Sequence, residues 1–529
     1  GTATDSSNDN YWLLICSASS TPVANNNRPP DCSSGIMWAR SATTTSGTQA
    51  TAATTTIEKF PFNQESNPWY AYICDGNSTG AQCNAVMKQG TAPTVSPFVI
   101  NHPPMFFSVS NNSPQNPGAT VTWTAVASDT DMIRGGDTVK LMVCKATDYI
   151  TAATSCGAGG TWATSTQVLS NPATSTPIVI PSQDKTYNAF VYVSDQSGLN
   201  ATSTFQGSAS SFVVNNVAPT VTAATISLVD PATAGSTTFL TPTQPAATSG
   251  PYYVKFTAVD NNGCQNASAG NEIALATTSI YRTAIGQSAC QTVANSNSNN
   301  CYPSADPATN ITCVQDGGSC SGATDSDATF TCTFSLWYNA DATVPSSQYS
   351  SDSWSASVQV KDDNNAVSPT TQGTTPNEVD QLLAFSVSQT GISFGGLQPG
   401  QKNDPLATTT TMLEQGNVGL DQSLYGDTMC TTWTGHDTCD VGGADATRKI
   451  PVANQHFATS SVVYASGATL TGSTTPASLA IHIQKTTATS SPQSKNTYWG
   501  INVPGTITVA GSYQGQDTIT AVTSNSSFW

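Results

Sequence analysis

The chain is 529 residues long, which predicts several domains because a single hydrophobic core rarely grows beyond about 250–300 residues. Only 9% of its residues are charged, and 33 acidic against 16 basic residues give a net charge of −17. This balance makes nucleic acid and anionic membrane surfaces poor partners and favours divalent cations. The sequence contains no apolar run of transmembrane length, so we predict no membrane span.

The first predicted element is an acidic turn followed by a strand, in the stretch GTATDSSNDNYWLLIC. An alternating strand that ends in Asp75 and a closing strand near residues 97–107 complete a module over residues 1–103. Compared with the module that follows, this one has no counterpart of residues 105–127. We expect either that more protein precedes residue 1 in the precursor or that a neighbouring copy donates the absent strand. We hypothesise the second.

The same strand pattern recurs twice further along the chain. The opening strand TVTWTAVASD matches YVKFTAVD, which places Asp260 where Asp129 stands. The strands TYNAFVYVSDQSGLN and WSASVQVKDDNNAV also match, and they contain Asp195 and Asp362 at equivalent places. The closing strands SFVVNNVAPTV and LLAFSVSQTGI set the ends of two further modules, which we place at residues 104–217 and 218–388, the latter with a Cys-rich insertion.

Thr, Ser, Ala and Asn dominate the chain, and residues that favour helices are scarce. Period-two alternation with turn residues between the runs is typical of antiparallel β-sandwiches. The predicted fold class is therefore all-β, with tandem immunoglobulin-like β-sandwich modules and a distinct C-terminal β-sandwich domain. That last domain covers residues 389–529 and is predicted to end in a hairpin around Gly505–Gly515.

Two motifs carry a resemblance to a known group of proteins. They are TYWGINVP…GSYQG…TITAV near the C-terminus and DATFTCTFSLWYNAD at residues 327–341. Together with the Cys-bearing repeats, they resemble the large immunoglobulin-like cell-surface proteins of uncultivated, small-genome candidate-phyla bacteria. The resemblance covers most of the chain and implies a secreted surface or surface-layer-like protein, and no catalytic residues come with it.

The chain has 14 cysteines, many of which are near neighbours that bracket short polar segments. An even number of cysteines closing such loops predicts disulfides and an oxidising, extracellular location, whereas zinc is disfavoured because CxxC pairs are absent and His is rare. The predicted short-range pairs are Cys16 with Cys32, Cys74 with Cys83, Cys144 with Cys156, and Cys430 with Cys439. The pairing of six others stays open: Cys264, Cys290, Cys301, Cys313, Cys320 and Cys332.

Several asparagines begin the Asn-x-Ser/Thr pattern that accepts N-linked glycans. All lie in polar surroundings, although the pattern also arises by chance in a chain this rich in Asn, Ser and Thr. The candidate glycosylation sites are Asn77, Asn111, Asn200, Asn266, Asn310 and Asn525.

Acidic residues at the ends of predicted strands are the candidate metal ligands. Asp129, Asp131 and Asp137 lie on one loop, and the strand that ends in Asp195 should finish at the same pole. Calcium needs six to eight oxygens in one place, which clustered carboxylates and turn carbonyls can supply. The alternative is that these residues bond the local backbone, as Asp does in turns. The same reasoning gives two further candidate groups: Asp5, Asp9 and Asp75, and Asp260 with Asp362.

Little in the sequence points to catalysis. The stretch GNSTG at residues 76–80 fits the G-x-S-x-G nucleophile pattern, which requires a strained turn between a strand and a helix. Here it lies in an all-β context, inside a loop bracketed by Cys74 and Cys83, so we predict that the protein is not an enzyme.

The predicted function is therefore that of an extracellular structural protein on the cell surface. It would assemble with copies of itself into a surface layer or a fibre, with the donated strand completing the first module. The alternative is an adhesin that binds host glycans or proteins.

Overall fold

The computed structural model describes residues 1–53, 64–91, 95–131, 137–168, 173–230, 239–240, 242, 249–436, 438–439 and 446–529. This described part is all-β, as predicted, and its helical turns are all short 3₁₀ segments. They are Thr151–Ala153, Ala223–Thr225, Ala289–Gln291, Val293–Asn295, Pro307–Thr309, Val452–Asn454, Tyr464–Ser466 and Ser526–Phe528. None of these helices has the length or the apolar run that crossing a bilayer would need.

The chain divides into two compact units. The first comprises Gly1–Pro181 and Lys185–Asn215, and it holds the first two predicted modules. The second comprises Ser182–Asp184 and Asn216–Trp529, and it holds the third module and the C-terminal domain.

The first module is built around the strand Tyr11–Cys16, whose apolar side chains alternate between two faces. The main sheet has the order Met37–Arg40, Tyr11–Cys16, Tyr70–Asp75. Its register places Tyr11 opposite Asp75 and Cys16 opposite Tyr70. Two short pairs accompany this sheet: Val23–Asn25 with Arg28–Asp31, and Ser66–Asn67 with Phe98–Val99.

The second module is a sandwich of two sheets whose inner faces form one core. One sheet has the order Ala173–Thr174, Trp123–Ser128, Met105–Asn111, and the other Thr161–Thr164, Val139–Cys144, Phe190–Asp195, Ser208–Ala209. The fully buried Trp123 and Phe212 meet edge to face at the centre, with ring centroids 5.7 Å apart. Two short pairs complete the module: Ile178–Val179 with Thr120–Val121, and Thr186–Tyr187 with Phe212–Val213.

The third module is also a sandwich, and its core contains the fully buried Trp354. Ser249–Val259 pairs with both Thr220–Val221 and Ser227–Val229 at one side. The first sheet consists of Thr220–Val221, Ser227–Val229, Ser249–Val259, Asp327–Leu336 and Thr312–Gln315. The second sheet consists of Cys301–Tyr302, Ile273–Arg282, Trp354–Asp362 and Thr371–Gln372. A parallel pair joins Phe239–Leu240 to Glu378–Val379.

The C-terminal domain has a five-stranded and a three-stranded sheet packed around Phe457 and Trp499. The five-stranded sheet has the order Phe385–Val387, Thr408–Glu414, Ser494–Ile501, Gln455–Ala458, Ala468–Thr469. The three-stranded sheet has the order Ala477–Ile483, Leu420–Gly426, Asp517–Thr523. A short pair joins Met429–Cys430 to Lys449–Ile450.

Two sequence-based predictions about this region need correction. The strand Phe385–Val387 pairs with Thr408–Glu414, so it belongs to the C-terminal domain and the predicted boundary at residue 388 is too late. In the third module, the edge strand that pairs with Trp354–Asp362 is Thr371–Gln372 and not Phe385–Val387. The predicted terminal hairpin is also wrong, because the strands on either side of Gly505–Gly515 lie in different sheets.

Seven disulfides cross-link the modules internally, and no cysteine is free. Four of them are the short-range pairs expected from the sequence. The six crowded cysteines pair as Cys264–Cys320, Cys290–Cys301 and Cys313–Cys332.

Candidate functional site

The first predicted acidic group is assembled at one end of the second module. Carboxylate oxygens of Asp129, Asp131 and Asp137 all lie within 4.8 Å of one another. Asp131 and Asp137 are buried, whereas Asp129 is half-buried. Burial raises the pKa of Asp129, and the charges of Asp131, Asp137 and Asp195 raise it further. The four predicted residues therefore share one electrostatic environment.

Most oxygens of this group already have hydrogen-bond partners in the first unit. The backbone N–H of His102 donates to Asp131 Oδ2 at 2.5 Å, and His102 Nδ1 lies 2.7 Å from Asp131 Oδ1. Asn101 Nδ2 donates to Asp195 Oδ2 at 2.5 Å, and the backbone N–H of Leu199 donates to Asp195 Oδ1 at 2.8 Å. Within this group, Asp129 Oδ2 is the buried oxygen that lacks a partner among the described residues.

The predicted pair Asp260 and Asp362 lies at one end of the third module, together with three carboxylates that the sequence pattern does not single out. Oxygens of Asp184, Glu272 and Asp363 all lie within 4.8 Å of one another. Burial raises the pKa of Asp260 to about 6, and the charges of Asp362, Asp184 and Asp363 act in the same direction. The structure thus enlarges a predicted pair into a group of five.

Glu272 is the most unusual member of this group. Its side chain is fully buried, and neither Oε1 nor Oε2 has a hydrogen-bond partner among the described residues. Burial raises its pKa to about 8, and the charges of Asp363, Asp184, Asp260 and Asp362 contribute further in the same direction. A buried carboxylate with no partner is costly, so this arrangement calls for a positive charge or a proton.

One hydrogen-bond pattern recurs in both acidic groups. Asn216 Nδ2 donates to Asp362 Oδ2 at 2.9 Å, and the backbone N–H of Val217 donates to Asn262 Oδ1 at 2.7 Å. The second module has the same two bonds: Asn101 Nδ2 donates to Asp195 Oδ2, and the backbone N–H of His102 donates to Asp131 Oδ2. Asp362 and Asp195, its equivalent in the second module, therefore each bind the chain segment that leads into their module.

The remaining predicted group, Asp5, Asp9 and Asp75, does not form a comparable cluster. In the part of the chain that the structure describes, no set of three close metal-ligating side chains includes any of them. Asp5 Oδ1 instead accepts bonds from the N–H and hydroxyl of Ser7, at 2.7 and 2.6 Å. Asp75 Oδ1 accepts the backbone N–H of Gln82 at 3.0 Å. Asp5 and Asp75 thus bond to neighbouring residues, and the described structure does not bring the three predicted ligands together as a cluster.

The candidate glycosylation sites differ in how free their side-chain amides are. Asn310 and Asn525 are exposed, whereas Asn77, Asn111, Asn200 and Asn266 are half-buried. Asn111 Nδ2 donates to the carbonyl oxygens of Ser210 and Ser211, both at 3.1 Å, so its amide nitrogen already has structural partners. Glycosylation stays a prediction at all six positions.

The first and second modules contain equivalent strand pairs whose inner faces differ in burial. Tyr11–Cys16 pairs with Tyr70–Asp75 in the same register as Val139–Cys144 pairs with Phe190–Asp195. The inner face of the second-module pair is fully buried at Leu141, Val143, Val191 and Val193. The equivalent side chains of the first module are only half-buried: Leu13, Ile15, Ala71 and Ile73.

The difference follows from the sheet that covers this face. In the second module, Met105–Asn111 and Trp123–Ser128 form the covering sheet. Among residues 1–53, 64–91 and 95–103, no strand of comparable length takes the place of these two, although Thr2 forms a bridge with Gln49 and Gly1 lies beside Leu13 and Ile73. The described residues of the first module therefore leave part of this apolar sheet face uncovered. We call it the open face and define it by Leu13, Ile15, Ala71 and Ile73.

The C-terminal domain contains a groove of about 650 Å³ between residues 392–399 and 507–514. Phe394 and Tyr513 line it, and Ile501 contributes to its apolar floor. It is large enough for a small ligand and is lined by both apolar and polar residues.

Comparisons with known proteins identify no family for this chain. No protein-family model and no curated protein matches it. Among solved structures, the FN1–FN3 domains of chicken CNTN1 match with 7% identity and a TM-score of 0.19, over 79% of this chain and 99% of that one. Alpha-2-macroglobulin of E. coli matches with 9% identity and a TM-score of 0.13, over 81% of this chain and 24% of that one.

A mutant of Salmonella alpha-2-macroglobulin matches with 10% identity and a TM-score of 0.14, over 80% of this chain and 24% of that one. The chain thus spans about a quarter of either macroglobulin. Because none of these TM-scores indicates a shared overall structure, the fold rests on the strand pairing described above. The all-β modules and the seven disulfides fit an extracellular structural or adhesive protein.

Proposed function

We propose that this chain is an extracellular structural protein that associates with copies of itself through the open face of the first module. The observation that carries the proposal is the contrast at equivalent positions: Leu141 and Val193 are fully buried, whereas Leu13 and Ile73 are half-buried. A second copy would cover the open face with one or more donated strands.

The energetic reason is the exposed apolar surface. Complete burial of a large aliphatic side chain contributes about 1.5–3 kcal/mol relative to exposure, and three such side chains lie on the open face. Strand pairing at the edges of the same sheet would add main-chain hydrogen bonds. Repeated head-to-tail donation would generate a fibre or a layer, which agrees with the resemblance to surface-layer-like proteins of candidate-phyla bacteria.

The second candidate function is that of an adhesin, and the groove of the C-terminal domain favours it. Phe394 and Tyr513 could contact an apolar or sugar face, and polar residues such as Ser512 and Gln514 also line the groove. An adhesin of this kind would act as a monomer and would leave the open face without a functional partner.

Self-association can be tested with the full chain and the variant Leu13→Lys. We expect the purified protein to form concentration-dependent assemblies, visible by light scattering after size exclusion and by negative-stain imaging. The introduced ammonium group would place a charge on the open face, so the association constant should fall at least about tenfold. Far-UV circular dichroism of the monomer would show that the variant remains folded.

The matched control is Val179→Lys in the second module, because Val179 is 70% exposed and lies outside the open face. This variant should assemble like the unchanged protein. A protein that remains monomeric at high concentration, or a Leu13→Lys variant that assembles normally, would contradict the proposal. Monomers that bind glycans through the groove would favour the adhesin.

A further inference from the structure

We propose that the group around Glu272 is a calcium site, with Glu272, Asp184 and Asp363 as ligands and Asp260 beside them. This site is independent of self-association. It also differs from the predicted pairing of Asp260 with Asp362, because both oxygens of Asp362 already accept hydrogen bonds. The ligands come from three separated parts of the second unit: Ser182–Asp184, the residue before Ile273–Arg282 and the residue after Trp354–Asp362.

The first argument is the set of buried oxygens that have no partner. Both carboxylate oxygens of Glu272 and Oδ2 of Asp260 are buried and accept no hydrogen bond from the described residues. Glu272 and Asp260 are each 0% exposed, so neither carboxylate reaches open solvent. Buried polar atoms in folded proteins almost always have partners, so a group of unpaired acceptors calls for a partner from outside the chain, such as an ion or a water.

The second argument is electrostatic. Carboxylate oxygens of Glu272, Asp184 and Asp363 all lie within 4.8 Å of one another, so like charges meet at a place where the Glu272 side chain is shielded from solvent. Protonation of Glu272 would remove one charge, but it would leave the other carboxylates close together. A divalent cation neutralises two charges at once and also supplies the unpaired oxygens with a partner.

The third argument concerns the chemistry of the ligands. Every side chain in the group offers carboxylate oxygen, and neither His nor Cys takes part. Oxygen-only sites suit the hard cations, and calcium accepts the irregular arrangements and high ligand numbers that loop residues provide. Magnesium requires near-ideal octahedral geometry and retains several waters, which fits poorly with a fully buried Glu272.

Two neighbouring amides hold the outer ligands in place. Asn364 Nδ2 donates to Asp184 Oδ2, and Asn266 Nδ2 donates to Asp363 Oδ2 at 2.7 Å. Each of these two carboxylates has a second oxygen with which to bind the ion. Such outer hydrogen bonds orient ligands before the metal binds and are common around protein metal sites.

The site can be tested by thermal unfolding of the full chain after removal of metal with a chelator. Saturating calcium chloride should raise the midpoint of the second unit by at least about 5 °C, because a ligand that binds the folded state stabilises it. Magnesium chloride should produce a smaller shift. In Glu272→Gln, the calcium-dependent shift should be lost, whereas the metal-free variant should be at least as stable as the unchanged protein.

A matched control is Asp306→Asn, which replaces another carboxylate of the second unit with an amide. Asp306 caps the 3₁₀ turn Pro307–Thr309, and Asn caps equally well, so the full calcium shift should persist. If Glu272→Gln does not fold, Asp363→Asn provides the same test at an exposed residue. A calcium shift of unchanged size in both variants, or no calcium shift in the unchanged protein, would overturn the proposal.

Discussion

The second unit contains two fully buried glutamates, Glu272 and Glu414, and their surroundings are opposite. Glu414 Oε2 accepts the backbone N–H of Thr486 at 2.8 Å, and Oε1 accepts the backbone N–H of Gly416. Burial raises its pKa to about 7, while these donors and the charge of Lys485 act in the opposite direction. Glu272 has no such donors, and every neighbouring charge that acts on its pKa raises it.

The difference separates a structural carboxylate from a candidate ligand. The protein itself supplies the partners of Glu414, which joins the strand Thr408–Glu414 to the segment after Ala477–Ile483. The oxygens of Glu272 remain available to something outside the chain. Burial alone therefore does not make Glu272 a candidate ligand; the further feature is that its buried oxygens have no partner among the described residues.

The largest expected effect on stability concerns the buried network around Glu414. Lys485 is 5% exposed, and its Nζ donates to Asp341 Oδ1 at 2.7 Å and to Asn299 Oδ1 at 2.6 Å. Lys485→Met would remove this buried cation from both acceptors and from Glu414, and only Asp341 would keep another, because Arg282 Nε lies 3.0 Å from its Oδ2. We expect a loss of about 3–5 kcal/mol in the free energy of unfolding, measured with chemical denaturant.

The control is Lys402→Met, because the ion pair of Lys402 with Asp404 spans 3.3 Å and is partly exposed. Exposed pairs contribute about 0–1 kcal/mol, so little should change. A loss below about 1 kcal/mol in Lys485→Met would show that the buried network around Glu414 contributes little to the stability of the fold.

The next effect is a pH dependence of stability that comes from Glu414. Its pKa is about 7 in the folded state against 4.5 for the free side chain, so between these pH values the folded state holds a proton that the unfolded state has lost. Stability should therefore fall as pH rises through this window, by about 2–3 kcal/mol.

Glu414→Gln has no titrating group at this position, so the difference between its unfolding free energy and that of the unchanged protein isolates the contribution of Glu414. This difference should change between pH 4.5 and pH 7 and should be constant above that range. A difference that does not vary with pH would mean that the donors from Thr486 and Gly416 keep the folded-state pKa near its ordinary value.

Much of this architecture was predictable, because strand alternation and cysteine spacing are local signals. The repeats predicted Asp129, Asp131, Asp137 and Asp195 as one group, and the structure brings them together. Glu272 could not be predicted in this way, because its partners come from distant segments of the chain.

The boundary near residue 388 failed for a related reason. Phe385–Val387 has the alternation of a closing strand, but alternation does not specify which sheet edge a strand joins. Local sequence thus predicted the elements and several of their ends, whereas tertiary pairing determined the ligands of the candidate site and the last boundary.

The smallest effect tests whether Asp362 belongs to the structural class, like Glu414, or to the calcium site. Asp362 is fully buried, with Oδ2 bonded to Asn216 Nδ2 at 2.9 Å and Oδ1 bonded to the backbone N–H of Ala366 at 2.7 Å. Asn216→Ala removes one donor and should lower the free energy of unfolding of the metal-free protein by about 1–2 kcal/mol.

If Asp362 is structural, the stability increment from calcium should match that of the unchanged protein, as measured by denaturant unfolding with and without the ion. A calcium increment that grows in Asn216→Ala would instead show that the freed oxygen of Asp362 binds the metal and that Asn216 competes with it.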